Sequence, residues 1–290
     1  TNFSGAKLVG ANVSDAKIQG ADFSDCDLAQ ADFSGSNGRP RTLSDPNVCE
    51  PAGASFVGAR ANGARFVKAE LSGCNFSRFE AEGARFDRAI LVRSSFADSH
   101  LSGANFANSK FSGVCLREAR FEDVDLRGIE AARLVTEKAT FESCDFTAAM
   151  LSRSQFRNCT VLECQFVSTD LLGVMFTDCD LRGSNFAHAQ LEKAYLSQDL
   201  RNSSFEGANL RKAVIPKADL RGVCFGGADL RGADLSRCTL DRADLHGADL
   251  RNAGLQLTTL RDVKLSGVTH GPRTQWPVQF DPSILSPATG

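Results

Sequence analysis

The sequence predicts an all-β chain wound as a one-dimensional repeat array, and three observations predict it. A five-residue period runs through almost all of the 290 residues: a small residue, a polar one, a large apolar centre, then two mostly polar or glycine positions. Within each unit the small residue and the centre stand two apart, so both point to the same side of an extended backbone while the other three residues face out. The centres also alternate in size. Phe56, Phe66, Phe76, Phe86, Phe96 and Phe106 recur every ten residues, with Ala61, Leu71, Ala81, Leu91 and Leu101 between them. That alternation suits four faces to a turn, with Phe on two opposite walls.

Taken in order, the first block has its centres at Phe3, Leu8, Val13, Ile18, Phe23, Leu28 and Phe33 and spans residues 1–35. Residues 36–53, rich in Gly and Pro, read as a projecting loop. The competing reading keeps the register through Leu43 and Val48 and leaves only Pro51, Ala52 and Gly53 as insertion. The main block fills 54–270, its core typified by Phe66, Phe86, Phe106, Phe146, Phe166, Phe186, Leu230 and Leu250. Where the first inward position is the bulky Phe79, the centre is the small Ala81, an exchange of volume expected when both share one layer of core. "IEAARLVTEK", with Ala131 and Thr136 as centres, reads as a poorly filled coil, with a bulge or a short helix as the alternatives. Between Leu196 and Phe205 the spacing is nine, one short of two units, so a four-residue face with Leu200 inward is expected there. Residues 271–290 leave the period, and Trp276 and Phe280 are candidates for a lid over the open end of the last coil. The chain enters in register at Thr1 with no comparable cap, so that end is expected to pair with a second copy as a homodimer or to follow another domain.

The pattern seen in "ANFAN", "ADLRG" and "ADLSR" resembles the pentapeptide repeat proteins over essentially residues 1–270. That resemblance implies a right-handed quadrilateral parallel β-helix, a β-solenoid with four pentapeptides per coil, in which residues 20 apart stack directly. The tail resembles the short "WPxGFDP" segments that follow such repeats in bacterial proteins, with Gln279 in place of the glycine.

Composition narrows function by removing classes. With 33 Lys plus Arg against 35 Asp plus Glu, the net charge of −2 gives no general reason to expect nucleic acid, and no apolar run approaches the ~20 residues of a membrane helix. Of ten cysteines, Cys26, Cys74, Cys144, Cys159, Cys164, Cys179 and Cys238 fall at the small inward position, where Cys acts as a small hydrophobe. Cys49 falls in the loop. Cys144 with Cys164, and Cys159 with Cys179, stand one coil apart but with parallel Cβ vectors that suit a bridge poorly. A reducing cytoplasm is therefore the expected location. His100, His188, His246 and His270 have no ligand or catalytic spacing, so neither metal, cofactor nor catalysis is expected.

Function is then sought on the walls. The wall centred on Ala61, Ala81, Leu101, Phe121, Phe141, Val161 and Leu181 sums to −4, through Glu80, Glu82, Glu122, Asp123, Glu142, Glu163 and Asp180 against Arg60, Arg120 and Arg182. With the loop arginines Arg39 and Arg41, these acidic groups are the candidate partner-binding residues. The expected function is a rigid, non-enzymatic protein-binding scaffold, the repeat domain of a larger, secretion-linked bacterial protein. The resemblance supplies the alternative, a mimic of B-DNA that binds DNA gyrase or topoisomerase and protects it from inhibitors. The cations interspersed on every wall weaken that alternative, and residues 201–290 carry 12 basic against 9 acidic groups.

Overall fold

A computed structural model of the chain describes residues 1–40 and 51–285, in two compact units, Thr1–Met150 and Leu151–Gly290. In both, each outward residue before a centre pairs in parallel with its counterpart one coil on. Asn2 pairs with Asp22 and Lys7 with Asp27 in unit 1, and Asp229 with Asp249 in unit 2. The centre's N–H donates forward and the N–H before it donates back, as in Phe3 N to Asp22 O (2.8 Å) and Asp22 N to Thr1 O (2.9 Å). All backbone groups that face a neighbouring coil are thereby used, which is why a chain with so little side-chain bulk per unit holds one register.

The corners explain the last two positions of the unit. The residue three beyond a centre donates back to it, as Ala6 N does to Phe3 O at 2.9 Å, and the second corner residue is left-handed, as at Gly5 (φ 72°) and Asp15 (φ 54°). This is a type II turn, which favours Gly or Asn at that position. On one wall of unit 1 the turn bond is missing after Ala81, Leu101 and Phe121 among the described residues. There the backbone stays extended and forms strands β1 (Glu80–Glu82), β2 (His100–Ser102), β3 (Arg120–Glu122) and β5 (Thr140–Glu142), paired in parallel in that order.

The core of unit 1 is two columns of Phe. Phe56, Phe76 and Phe96 stack at 4.7 Å between ring centroids, Phe66, Phe86 and Phe106 at 4.6 and 4.7 Å, and the columns meet edge to face, as Phe86 does Phe96 at 5.7 Å. Such pairs add about 0.5–1.5 kcal/mol each beyond the area they bury. Phe66, Phe86, Phe106, Phe146, Phe166, Phe186, Leu230 and Leu250 are all buried, as are Phe79 and its small partner Ala81.

The segment around Ala131 is neither a bulge nor a helix, and it is not poorly filled. Ala131 and Thr136 are buried centres, and Ile129 and Leu134, buried at the first inward positions, supply the missing volume, as Phe79 does for Ala81. Strand β4 (Val135–Glu137) runs through it.

After Phe33 the ladder continues further than a loop from residue 36 implies. Ser36 is buried, Lys17 pairs with Asn37, and Gly38 stands where a centre belongs. Gly38 and Gly53 form the neck of the insertion, with Ala54 N bonding Gly38 O at 3.0 Å. Neither position has room for a side chain. A Cβ on Gly38 stands 2.9 Å from Cys74 Sγ, and one on Gly53 stands 2.8 Å from Gly38 O. Asp22 then pairs with Ser55, 33 residues on where 20 is the rule, and Phe23 stacks on Phe56 at 5.1 Å. Leu43, Val48, Cys49 and Arg41 lie outside the described residues.

Unit 2 contains β6 (Gln155–Arg157), β7 (Thr160–Leu162), β8 (Met175–Asp180) and β9 (Tyr195–Asp199). The missing residue of "SQDLRN" is absorbed between β8 and β9, where Phe176 pairs with Leu196 but Cys179 with Gln198. Ser197 fills the gap, its hydroxyl accepting from Asp178 N (3.1 Å) and lying 3.3 Å from Phe176 O, and Leu200 is buried. Gln275 still pairs with Gly254, so the ladder passes residue 271 and Trp276 enters at a centre position. Trp276 stacks on Phe280 at 4.7 Å and meets His270 edge to face at 5.9 Å. A 3-10 turn, Pro282–Ile284, follows, with Asp281 Oδ1 accepting from Ser283 N.

Candidate partner-binding walls

The acidic residues singled out in the sequence divide between the units. In unit 1, Glu80, Glu82, Glu122, Asp123 and Glu142 share the wall built on β1, β2, β3 and β5. Pairing puts Glu80 beside His100, then Arg120, then Thr140, and Glu82 beside Ser102, then Glu122, then Glu142, in two columns at the ~4.8 Å strand spacing. Arg60 approaches Glu80 at 3.6 Å and His100 Nε2 approaches Glu122 at 3.8 Å, while Arg120 Nε donates to Glu122. Glu82, Asp123 and Glu142 have no cation within 4.0 Å among the described residues. A shallow groove lined by Asn62, Glu80, Glu82, His100, Ser102 and Glu122 lies along the wall. It is held rigid from below, since Glu82 N donates to Asn62 Oδ1 at 2.9 Å.

Glu163 and Asp180 belong to unit 2 and differ from each other. Glu163 is exposed, whereas Asp180 is gripped by Arg182 through Nε (2.8 Å) and Nη2 (2.6 Å). Burial raises the Asp180 pKa, but the bonds and charge of Arg182 outweigh it and hold the carboxyl below its usual value. Arg39 is exposed at the neck of the insertion, its N–H on Asn37 Oδ1.

The pairing at Asp180 is the rule in unit 2, wherever Asp, a centre and Arg follow one another. Arg201 holds Asp199 and reaches Asp219 at 3.6 Å, and Arg231 holds Asp229 and reaches Asp249 at 3.6 Å. Each Asp Oδ1 also accepts the N–H two residues on, as Asp229 does from Arg231 N at 3.2 Å, so the residue closes its own corner before it meets any partner. The side-chain bonds from Arg221 and Arg231 hold Asp219 and Asp229 below the ordinary carboxylate range. Asp244 is held at about 2 through the backbone N–H of His246, the His246 ring and Lys264. The same motif occurs in unit 1 at Asp125 and Arg127. A wall-by-wall charge sum misses this pairing, although the two-residue Asp-to-Arg spacing that makes it is visible in the sequence.

The cysteines at the small inward position have a structural role. Cys26 donates its S–H to Phe3 O (3.0 Å) and Cys238 to Ile215 O (2.8 Å), 23 residues back in each case. Ser203 and Thr274 use the same inward position in the same way, on Leu181 O and Leu250 O, both at 2.8 Å. Burial pushes the Cys74 and Cys238 thiols up to about 12, and the hydrogen bond shared with Cys159, then burial, pushes Cys179 up. Thiols held this high are poor nucleophiles and poor metal ligands. His246 is a corner residue, its ring lying over Gly226 and its Nδ1 2.9 Å from Asp244. No helix among the described residues is long and apolar enough to cross a membrane.

Comparison with known proteins accords with this architecture. The profile of pentapeptide repeats, in 8 copies, matches residues 1–35, 52–78, 89–128, 199–232 and 228–267, and that of the SV2A/B/C luminal domain matches 113–186. No curated protein matches the chain. Among solved structures, a trypsin-treated form of QnrB1, a plasmid-mediated fluoroquinolone resistance protein, is 23% identical over 60% of this chain and 91% of its own, with a TM-score of 0.44. HetL, a pentapeptide repeat protein involved in heterocyst differentiation regulation in the cyanobacterium Nostoc, is 22% identical over 65% of this chain and 87% of its own, with a TM-score of 0.28. A pentapeptide repeat protein of the Arabidopsis thaliana thylakoid lumen is 31% identical over 31% of this chain and 63% of its own, also with a TM-score of 0.28. With five-residue units, parallel rungs 20 residues apart and a family profile matched over more than half its length, this chain belongs to the pentapeptide repeat family.

Proposed function

We propose that the chain is a non-enzymatic, rigid scaffold that binds a basic protein surface along the carboxylate wall of unit 1. One observation carries this: Glu82, Asp123 and Glu142 stand on a wall of paired strands with no cation within 4.0 Å among the described residues, whereas Asp125, Asp180, Asp199, Asp219, Asp229 and Asp249 are each taken up by the Arg two residues on. A rigid wall loses little freedom on binding, and unpaired carboxylates at fixed spacing offer register as well as attraction. Buried, unreactive thiols suit a reducing cytoplasm, and a scaffold of this kind suits the repeat domain of a larger bacterial protein.

Mimicry of DNA is the weaker reading, because guanidinium groups beside Asp180, Asp199, Asp219, Asp229 and Asp249 break the continuous negative potential that mimicry requires. The test is a comparison of baits in affinity purification from cells that carry the gene. A partner held by the natural chain and by Arg231→Ala, but lost with Glu82→Lys plus Glu142→Lys, is the expected result. Equal recovery on all three baits overturns the assignment to this wall. Inhibition or protection of gyrase at micromolar protein turns the function to the mimic.

A further inference from the structure

A second surface, in unit 2, departs from the repeat in another way. At many of the outward positions before a centre the unit places an Asp, Asn or Ser that closes its own corner, as Asp234 does for Ser236 N at 2.9 Å. On three successive rungs of one wall that residue is Met175, Tyr195 and Val214, which can make no such bond. Parallel pairing of Met175 with Tyr195, and of Tyr195 with Val214, sets them in one column. Met175 is 42% exposed and Val214 39%, with Leu172 on the adjoining corner at 38%. Single exposed apolar side chains are ordinary on a protein surface, but a contiguous column that also gives up local hydrogen bonds is not. Beside the column stand Arg211, Lys212 and Lys217, exposed and without a carboxylate within 4.0 Å among the described residues.

We infer that this wall docks an acidic amphipathic helix of a partner protein, with apolar side chains seated on Met175, Tyr195 and Val214 and carboxylates facing Arg211, Lys212 and Lys217. The charge around the column selects the sign of the partner. The spacing selects its form: rungs ~4.8 Å apart nearly match the ~5.4 Å pitch of a helix carrying apolar residues at i, i+3 or i+4, and i+7. Backbone groups along these rungs are already used in the ladder, as Met175 N is on Ser154 O and Tyr195 N on Val174 O, so a partner cannot join as a further strand. This surface is opposite in charge to the carboxylate wall of unit 1 and stands or falls separately from it.

The test uses a 15-residue helical peptide with Leu on one face and Glu elsewhere, together with its Lys-for-Glu analogue, each titrated by fluorescence anisotropy. The acidic peptide is expected to bind at least about tenfold more tightly than the basic one. Val214→Asn, which puts back the residue type the repeat uses there, should weaken it about tenfold while the circular dichroism spectrum and melting temperature hold. Lys212→Glu plus Lys217→Glu should weaken it similarly, and Glu82→Lys should leave it unchanged. Equal binding of both peptides, absence of binding, or indifference to Val214→Asn overturns the inference. So does wall-dependent sedimentation with phosphatidylglycerol vesicles, which makes the surface a lipid contact, or a wall-dependent dimer in size-exclusion chromatography with light scattering.

Discussion

Unit 1 and the later coils of unit 2 follow one five-residue rule and realise it in different materials. In unit 1 the core is two columns of stacked Phe, and one wall carries carboxylates with no cation of their own. From Leu230 to Leu265 the centres are Leu, and one wall carries Asp229 and Asp249, each bound by the Arg two residues on. The fold therefore does not require aromatic centres, nor does it require paired charge. What both regions keep is the backbone ladder, the left-handed corner and two inward residues per unit, the first of them small except where, as at Phe79, Ile129 and Leu134, it makes up the volume of a small centre. Features that differ between them are available to function or to local stability, and substitution separates the two.

The largest effect is expected from Phe106→Asp. Its ring stacks on Phe86 at 4.7 Å and Phe121 at 5.8 Å and meets Phe96 and Phe111 edge to face at 5.6 and 5.5 Å, so the change removes four ring contacts and buries a carboxylate with no partner. A loss of roughly 3–5 kcal/mol or more is expected, since that is the scale of an uncompensated buried charge. Limited proteolysis should cut within unit 1 of the variant at protease levels that leave the natural chain whole. A variant as resistant as the natural chain would falsify the account of the Phe columns as the source of stability there.

Gly53→Ala comes next, at about 1–3 kcal/mol, because its Cβ would lie 2.8 Å from Gly38 O and 2.9 Å from Gly73 O, both backbone atoms that cannot swing aside. The substitution acts at the neck of the insertion, a feature that the coils of unit 2 lack. Urea denaturation followed by circular dichroism measures it, and a midpoint unchanged from the natural chain means that the neck relaxes freely.

How much of this was legible in the residues depends on whether a feature repeats. The family, the inward positions and the four-residue face at Leu200 are readable because each unit constrains the next: an error at one centre would misplace every later one. Ala131 shows the limit of reading centres alone. A small centre looks like a void until Ile129 is seen to lie inward as well, although the same exchange at Phe79 and Ala81 already pointed to it. Charge was read less well than core. The sum over a wall counted Asp180 with Glu82, but Asp180 is spent on Arg182 and Glu82 is not. The apolar column at Met175, Tyr195 and Val214 escaped because an exposed apolar residue at an outward position breaks no rule singly, and only the coil spacing reveals that three of them adjoin.

Acid should separate the regions next. Asp219 and Asp229 are held below their ordinary pKa by Arg221 and Arg231, and Asp244 is held at about 2. A folded-state pKa below the unfolded one, ~3.9 for Asp, stabilises the fold above the unfolded value, and that stabilisation is lost as pH falls through the folded value. Melting temperature should thus hold down to about pH 5 and fall between about pH 4 and pH 2. Asp219→Asn combined with Asp229→Asn should flatten that fall, each contributing no more than about 1 kcal/mol after solvent screening. A steep acid transition that these substitutions leave untouched would show that the ladders are ornament to stability.

The smallest expected effect tests the functional side of the comparison most directly. Glu82 contributes its N–H to Asn62 and leaves its carboxylate in solvent with no cation within 4.0 Å among the described residues, so Glu82→Gln keeps the backbone bond and the burial pattern. Stability should change by no more than about 0.5 kcal/mol, the range of exposed substitutions away from special features. Asp229→Asn keeps the corner bond through its amide oxygen but loses the charge that Arg231 holds, so it should cost measurably more at neutral pH and low salt. Chemical denaturation of the two variants side by side decides the matter. If Glu82→Gln costs as much as Asp229→Asn, the carboxylates of unit 1 are part of what holds the coils together, and the wall loses its claim to be a surface kept for a partner.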